Sequence, residues 1–315
     1  MVARETILVT GSGGFVGTHV MQVFSKLDNY NVVGVSSKDY DLMNEDSVKK
    51  MFHDIRPDYV VHLAARSGGI YSNRTEPADY YYKNIMLITL TFHHAYLNKV
   101  KKILVPMGGC SYPSTAASPI KEEVMWDGFS QIQSAGYSMA KKMVLVQSWA
   151  YKKQYDFNSV VLIPGNLYGE YDNFSLTESH VIPAMIRKFY EAKRNGTGKL
   201  AFWGTGKPQR DFVYAHDVAS LFPYFLLEYG GESPINLSSG TSISMKELAA
   251  LISKKVGFEG DIEWDTAQPD GQMVKIFSVE RLNSLGKSCN TPLEEGLERT
   301  IAWFDDNYEK GTIRL

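Results

Sequence analysis

Tyr137 and Lys141 stand four residues apart in the run Tyr137-Ser138-Met139-Ala140-Lys141. On a helix that spacing places both on one side. A nearby ammonium stabilises a phenolate and lowers the tyrosine pKa toward working pH. Tyr137 then becomes a usable acid for the alkoxide that forms as hydride reaches a carbonyl carbon. The pair is common, and on its own a surface aromatic beside a solvated lysine explains it better. Its companion lies upstream, in Thr10-Gly11-Ser12-Gly13-Gly14-Phe15-Val16-Gly17. Gly11, Gly14 and Gly17 follow the spacing G-x-x-G-x-x-G. One glycine allows a tight turn, one lets backbone N–H groups approach a pyrophosphate, and one lets a helix pack close to a strand. A helix starting at the loop adds free N–H groups and a partial positive charge. A dinucleotide site is expected there.

The end of the next strand discriminates between cofactors. An NAD-specific site carries an acid at that place, on the ribose 2′-hydroxyl. The chain instead reads Val35-Ser36-Ser37-Lys38. Two hydroxyls and an ammonium suit a 2′-phosphate, which favours NADP(H) over NAD(H). Asp39 and Asp41 follow closely and are the acids that would reverse this choice.

The elements that position these residues are legible as alternating runs. Glu5–Thr10, Asn31–Val35, Tyr59–Leu63, Lys102–Pro106 and Val160–Ile163 are short, apolar and rich in β-branched residues, as strands buried on both faces are. Helical stretches such as Glu45–Ile55 and Ile85–Leu97 lie between them. Such alternation implies a doubly wound parallel α/β sheet of Rossmann type, with right-handed crossovers. After about Leu167 the pattern loosens, and helices are expected at Ser179–Arg194, Ser244–Val256 and Pro292–Asn307. The expected division is a dinucleotide-binding domain over 1–167, joined by a segment at about 211–236 that returns to the sheet, and a smaller α/β substrate-binding domain over 168–210 and 237–315.

The bulk numbers exclude other classes. With 315 residues the chain can bury a sizeable core. A net charge of −2 supplies no global field for nucleic acid or an anionic membrane. No apolar stretch reaches the ~20 residues that span a bilayer, and no charged-then-apolar leader precedes the first strand. Cys110 and Cys289 are the only cysteines. They make neither a disulfide framework nor a metal cluster, so a cytoplasmic protein without metal is expected.

Further motifs carry a family resemblance. They are Ala64-Ala65-Arg66-Ser67-Gly68-Gly69-Ile70, Cys110-Ser111-Tyr112-Pro113, Pro119-Ile120-Lys121-Glu122-Glu123, Asn166-Leu167-Tyr168-Gly169, Asp172-Asn173-Phe174, Ser179-His180-Val181-Ile182-Pro183-Ala184, Trp203-Gly204-Thr205-Gly206 and Arg210-Asp211-Phe212. With the glycine loop and the Tyr-Lys pair, the chain resembles the extended short-chain dehydrogenases/reductases, and within them the GDP-L-fucose synthase branch. The resemblance covers nearly the whole chain.

It implies NADPH-dependent reduction of the C4 ketone of a nucleotide-diphosphate 4-keto-6-deoxy sugar, GDP-linked, with 3,5-epimerisation. Cys110 and His180 would be base and acid of the epimerisation. Tyr137 would protonate the C4 oxygen, with Lys141 as its partner. The cofactor would lie against Gly11, Gly14, Phe15, Val16 and Gly17, then Ser36, Ser37, Lys38, Asp41 and Leu42. Leu63, Ala64, Ala65, Tyr137, Lys141 and His180 would complete that site. Asn166, Arg187, Trp203, Arg210 and Lys275 would hold the sugar nucleotide. Arginines fork onto diphosphate oxygens and tryptophan stacks on flat rings. Apart from the resemblance, Arg187 reads as a solvated helix charge and Trp203 as core. Family members pair as homodimers through two long helices, which would be Asn84–Leu97 and Ser134–Tyr155.

Two departures stand out. The family carries Ser-Ser-Cys where this chain has Gly108-Gly109-Cys110, so a hydroxyl that bonds the C4 oxygen is missing. Loss of one preorganised donor costs about 10²–10³ in rate. Ser111, one place on, should point elsewhere, as a strand neighbour does. The glycine loop also lacks the basic residue usual in the family. Three other functions therefore compete. They are C4 reduction without epimerisation on a heptose or dideoxy sugar, 4-epimerisation with a recycled NAD, and a non-catalytic cofactor-binding protein.

Overall fold

The computed structural model describes residues 4–315. Its chain begins with strand β1 (Glu5–Thr10), helix α1 (Phe15–Phe24), β2 (Tyr30–Val35), α2 (Glu45–Ile55), β3 (Tyr59–His62), α3 (Ile70–Thr75), α4 (Pro77–Leu97), β4 (Lys102–Pro106), α5 (Ala135–Tyr155) and β5 (Ser159–Pro164). Beyond these come β6 (Asn166–Tyr168), α6 (Val181–Arg194), β7 (Lys199–Trp203), β8 (Gln209–Arg210), β9 (Phe212–Tyr214), α7 (Ala215–Leu227) and β10 (Ile235–Leu237). The last elements are β11 (Ile243–Ser244), α8 (Met245–Val256), β12 (Asp261–Asp265), β13 (Val274–Lys275), α9 (Glu280–Ser284) and α10 (Leu293–Tyr308).

Six strands form one parallel sheet in the order β10-β5-β4-β3-β1-β2. Successive side chains on a strand face opposite ways, and the core divides accordingly. Leu8, Val60, Ile103, Val105, Val161 and Ile163 pack on one face with α2, α4 and α5. Ile7, Val9, Val61, Leu104, Val160 and Leu162 pack on the other with α1 and α7. This is the doubly wound α/β architecture that the β-branched runs imply. The strand order reverses between β1 and β3. That opens a crevice at their carboxyl ends, the place where such sheets take ligands.

A third apolar cluster gathers α6, α8 and α10 around Phe189, Phe202, Ile252 and Phe304. Small sheets border it: β7 pairs with β12, β8 lies between β11 and β13, and β6 pairs with β9. Helix α8 shows its sequence logic at both ends. Ser244 and Glu247 make a capping box, and Gly257 closes the helix at φ +77°.

Several expected boundaries shift. The chain does not re-enter the large sheet at Asp211, because β9 pairs with β6 outside it. The sheet is regained only at β10, after α7. A three-residue aromatic and β-branched run does not say which sheet it will join. Helix α4 starts at Pro77, eight residues before Ile85, because proline is preorganised for a first helical turn. Residues Gly109–Ser111 form a 3₁₀ turn, so Cys110 and Ser111 are not strand neighbours. Ser111 still points away, donating to the Ser138 carbonyl at 2.9 Å.

A buried amide welds β10 to the loops beside it. Asn236 Nδ2 donates to the carbonyls of Ile120 and Ser278, each at 3.0 Å. Its Oδ1 accepts from Tyr112 Oη at 2.6 Å, and its N–H donates to Glu122 Oε1 at 2.9 Å. Tyr112→Phe strands a buried acceptor and is expected to cost about 1–3 kcal/mol. Denaturant unfolding of the two proteins measures it.

Candidate active site

The glycine loop fills the crevice between β1 and β3. Gly11 takes φ +68°, and a Cβ there would meet Ala64 N at 2.8 Å. Gly14 N–H closes the turn on the Gly11 carbonyl at 3.0 Å and caps α1. A Cβ on Gly17 would lie 2.2 Å from the Gly11 carbonyl oxygen, so α1 can start this close only with glycine. Phe15 and Val16 open the helix. Around Gly13 the space is open. This cradle of open space and helix N–H groups fits a dinucleotide phosphate. Leu63, Ala64 and Ala65 line the β3 side half-buried, and Ala64 N–H reaches Thr10 Oγ1 at 3.3 Å.

At the end of β2 the two acids are spent locally. Asp39 Oδ2 accepts from Ser36 N and Ser36 Oγ, each at 2.8 Å. Those donors hold its carboxyl below the usual range. Asp41 Oδ1 accepts from Met43 N at 2.9 Å. Ser37 and Lys38 stay exposed at this edge, whereas Leu42 belongs to the sheet core.

The Tyr137 and Cys110 side chains converge on Gly108. A Cβ on Gly108 would lie 3.1 Å from Cys110 Sγ, 3.4 Å from Tyr137 Cε1 and 3.8 Å from Tyr137 Oη. Of the two glycines, Gly108 is therefore the one that lies between Cys110 and Tyr137. Gly109 faces elsewhere. A Cβ there would strike the Phe277 ring at 2.4 Å, because that ring has taken the volume. Tyr80 meets Tyr137 edge-on, with centroids 6.5 Å apart.

The expected lowering of the Tyr137 pKa is corrected here. Burial pushes it up, and the Cys110 thiol and Tyr80 phenol add to the rise. The Lys141 charge bears instead on His62, and Cys110 in turn acts on Lys141. Burial brings Lys141 itself down to about 8.

His180 caps the start of α6. Its turn packs on the segment after β3, where a Gly69 Cβ would lie 3.2 Å from the Thr177 carbonyl oxygen. The ring is solvent-accessible yet walled by protein, and that desolvation lowers its pKa. Arg210 and Lys275 are register partners in β8 and β13. Desolvation lowers both, and the Lys275 charge also faces Cys110. Asn166 is turned inward, donating to the Asp211 carbonyl at 2.7 Å. Arg187 is engaged by Glu191 at 2.7 Å and by the Phe174 carbonyl at 3.2 Å. Trp203 is 76% exposed, which overturns its reading as core.

The sequence profile of the NAD dependent epimerase/dehydratase family matches residues 7–237. The chain belongs to that family. Among similar family members is a GDP-L-fucose synthase of Sinorhizobium fredii (strain NBRC 101917 / NGR234), 38% identical over 96% of this chain and 96% of the relative. A GDP-L-fucose synthetase structure from Naegleria fowleri bound to NADP is 30% identical with a TM-score of 0.91. The match covers 100% of this chain and 98% of that one. A GDP-6-OMe-4-keto-L-xylo-heptose reductase from C. jejuni is 27% identical with a TM-score of 0.89, over 98% and 99% of the chains.

Sequence reasoning missed several residues that brace the candidate site. Asn84, buried in α4, exchanges hydrogen bonds with the backbone of Arg66 at 3.1 and 3.0 Å. Buried Asp211 accepts from Ser239 Oγ at 2.7 Å, from the N–H groups of Ser239 and Gly240 at 3.2 Å, and from Phe277 N–H at 3.3 Å. Its place in Arg210-Asp211-Phe212 was the available signal. Thr10 Oγ1 and His62 Nδ1 pair at 2.9 Å beneath the loop. Among the described residues no acid, histidine or cysteine cluster could hold a metal, and no helix is long and apolar enough to cross a membrane.

Two predictions follow from these contacts. Gly109→Ser must displace Phe277 and is expected to lose about 1–3 kcal/mol, as overpacking does. Gly108→Ser should lose less, and chemical denaturation ranks the two. Burial, aided by the Lys141 charge, holds His62 down at about 3, against 6.5 in the unfolded chain. Above pH 6.5 both states keep the ring neutral. As pH falls from 6.5 toward 3 only the unfolded state gains the proton, so stability drops by up to about 1.4 kcal/mol per pH unit. His62→Asn should flatten that limb in unfolding measured from pH 7 to 4.

Proposed function

We propose that this protein reduces the C4 ketone of a GDP-linked 4-keto-6-deoxy sugar with NADPH and epimerises the carbons beside that ketone. The observation that carries the reading is the convergence of Cys110 Sγ and the Tyr137 phenol on the space at Gly108, in a cleft that also holds Lys141 and Lys275. The spent acids at the end of β2 support NADP(H) over NAD(H), and the exposed Lys38 suits a 2′-phosphate. When bound, the dinucleotide supplies the hydride that reduces C4.

The chain's own residues do the rest. Cys110, faced by the Lys141 and Lys275 charges, takes a proton from carbon next to the ketone. His180 returns one from the α6 side, which inverts the centre. Tyr137, held protonated by burial, gives its proton to the C4 oxygen as hydride arrives. Lys141, brought down to about 8, is placed to return a proton to the site. Arg210 and Lys275 attract the diphosphate. Trp203, Arg187 and Asn166 are assigned to the sugar nucleotide by family position. Residues 1–167 with the 211–236 return are assigned to the cofactor, and 168–210 with 237–315 to the substrate.

We assign a homodimer through α4 and α5, whose exposed Tyr81, Tyr82, Val146 and Trp149 offer an apolar face. The free thiols Cys110 and Cys289 support a cytoplasmic setting. A second reading, C4 reduction alone on a larger sugar, is favoured by the absence of a side chain at Gly108, between Cys110 and Tyr137, and by the heptose reductase likeness.

Purified protein, NADPH and GDP-4-keto-6-deoxymannose in deuterated water test both readings. NADPH oxidation with two enzyme-dependent carbon-bound deuterons in the product is expected. Oxidation without them selects the second reading, and no oxidation removes this substrate. Cys110→Ala should lose the deuterium. Tyr137→Phe should slow NADPH oxidation by about 10²–10⁴.

A further inference from the structure

Helix α10 is followed by a segment that runs back across the molecule to the glycine loop. Ile313 is buried in the third core and anchors it. Arg314 then forms a β-bridge with Asn173, and its carbonyl accepts from Phe174 N–H at 2.7 Å. From this fixed backbone the Arg314 side chain reaches the loop and donates through Nη2 to the Gly13 carbonyl. Among the described residues this is the only hydrogen bond the guanidinium makes.

That placement is electrostatically expensive as it stands. The loop is the N-terminus of α1, a pole of partial positive charge that repels a cation and attracts an anion. One countercharge lies near. Asp172 is 3% exposed, accepts from Asn173 N–H at 2.7 Å and leaves Oδ2 without a partner. Burial raises its carboxyl to about 7, and Arg314 is the charge that pulls it back. A buried acid pushed toward its neutral form offsets a guanidinium only in part. Arg314 makes no other side-chain hydrogen bond among the described residues, and the loop has no side chain of its own at Gly13, where the space is open.

We propose that Arg314 is a cofactor-phosphate ligand, delivered to the glycine loop from the far end of the chain. Its guanidinium stands where the loop, with glycine at position 13, carries no basic residue. It binds phosphate oxygens of the dinucleotide together with the α1 N–H groups. The inference rests on the NADP(H) reading above and adds a residue to it. Arginine suits the task because its planar fork makes paired, charge-assisted bonds to phosphate.

Titration of NADPH and NADH into the full-length protein, followed by nicotinamide fluorescence, tests it without any turnover. Arg314→Ala is expected to raise the Kd for NADPH about tenfold or more. Arg314→Lys should recover part of the loss. Arg314→Gln keeps an N–H donor for the Gly13 carbonyl but no charge. It should bind as weakly as the alanine variant, whereas a strap that only braces the loop would retain wild-type affinity in Gln. Thermal unfolding without cofactor checks that each variant is folded. A loss confined to NADPH locates the contact on the 2′-phosphate, and an equal loss for NADH locates it on the pyrophosphate. Unchanged NADPH affinity in folded Arg314→Ala, with wild type binding normally, overturns the proposal. Failure of wild type to bind NADPH overturns the cofactor reading itself.

Discussion

A single buried carboxylate ties together the walls of the cleft. Asp211 lies between β8 and β9 and accepts from the Ser239–Gly240 turn and from Phe277 N–H. Burial raises its pKa, and those donors are what oppose the rise. Its own N–H donates to the Lys275 carbonyl at 3.2 Å. Through these bonds Asp211 sets β13 beside β8, which puts Lys275 level with Arg210 and drives the Phe277 ring against Gly109. The side-chain volume missing at Gly109 is thus occupied from across the fold, while that at Gly108 is left between Cys110 and Tyr137. Unpaired, such a carboxylate would cost more than its bonds return.

The cleft that results is poorly solvated and cationic. Lys141, Arg210 and Lys275 are each shifted down by burial, so the ground state holds positive charge at some cost. An anion entering the cleft relieves that cost. A diphosphate does so twice over, since it also brings oxygen acceptors for the donors it meets. The phenol responds in the opposite sense. Burial keeps Tyr137 protonated, and the same low polarity strengthens the dipoles around it.

The glycine loop was legible because its physics is local. The Gly11, Gly14 and Gly17 spacing is a statement about backbone clearance over seven residues, and the 2.2 Å collision a Cβ would make at Gly17 is its three-dimensional form. Helix α2 matched its expected bounds for the same reason, since its apolar periodicity and Asn44 cap lie within one short stretch. The contacts around the rest of the candidate site were less legible. Asn84 looks like any polar residue in a helix until its amide meets the Arg66 backbone eighteen residues away. Asp41 and Asp39 stood where an acid would select NAD, and only the local turn shows one oxygen of each engaged by nearby donors. Tyr137 and Lys141 share a helix, yet burial outweighs the charge that was expected to govern the phenol.

The amino-acid sequence by itself determined the alternation of strands and helices, the glycine turn and the inventory of reactive side chains. Each depends on neighbours within a few residues, where sterics and periodicity leave few choices. Tertiary structure decided which glycine lies between Cys110 and Tyr137, which volume Phe277 fills, where β9 pairs and where Arg314 points. Those outcomes depend on contacts between segments separated by tens to hundreds of residues. Burial and close approach, set by the whole fold, then change what each group can do.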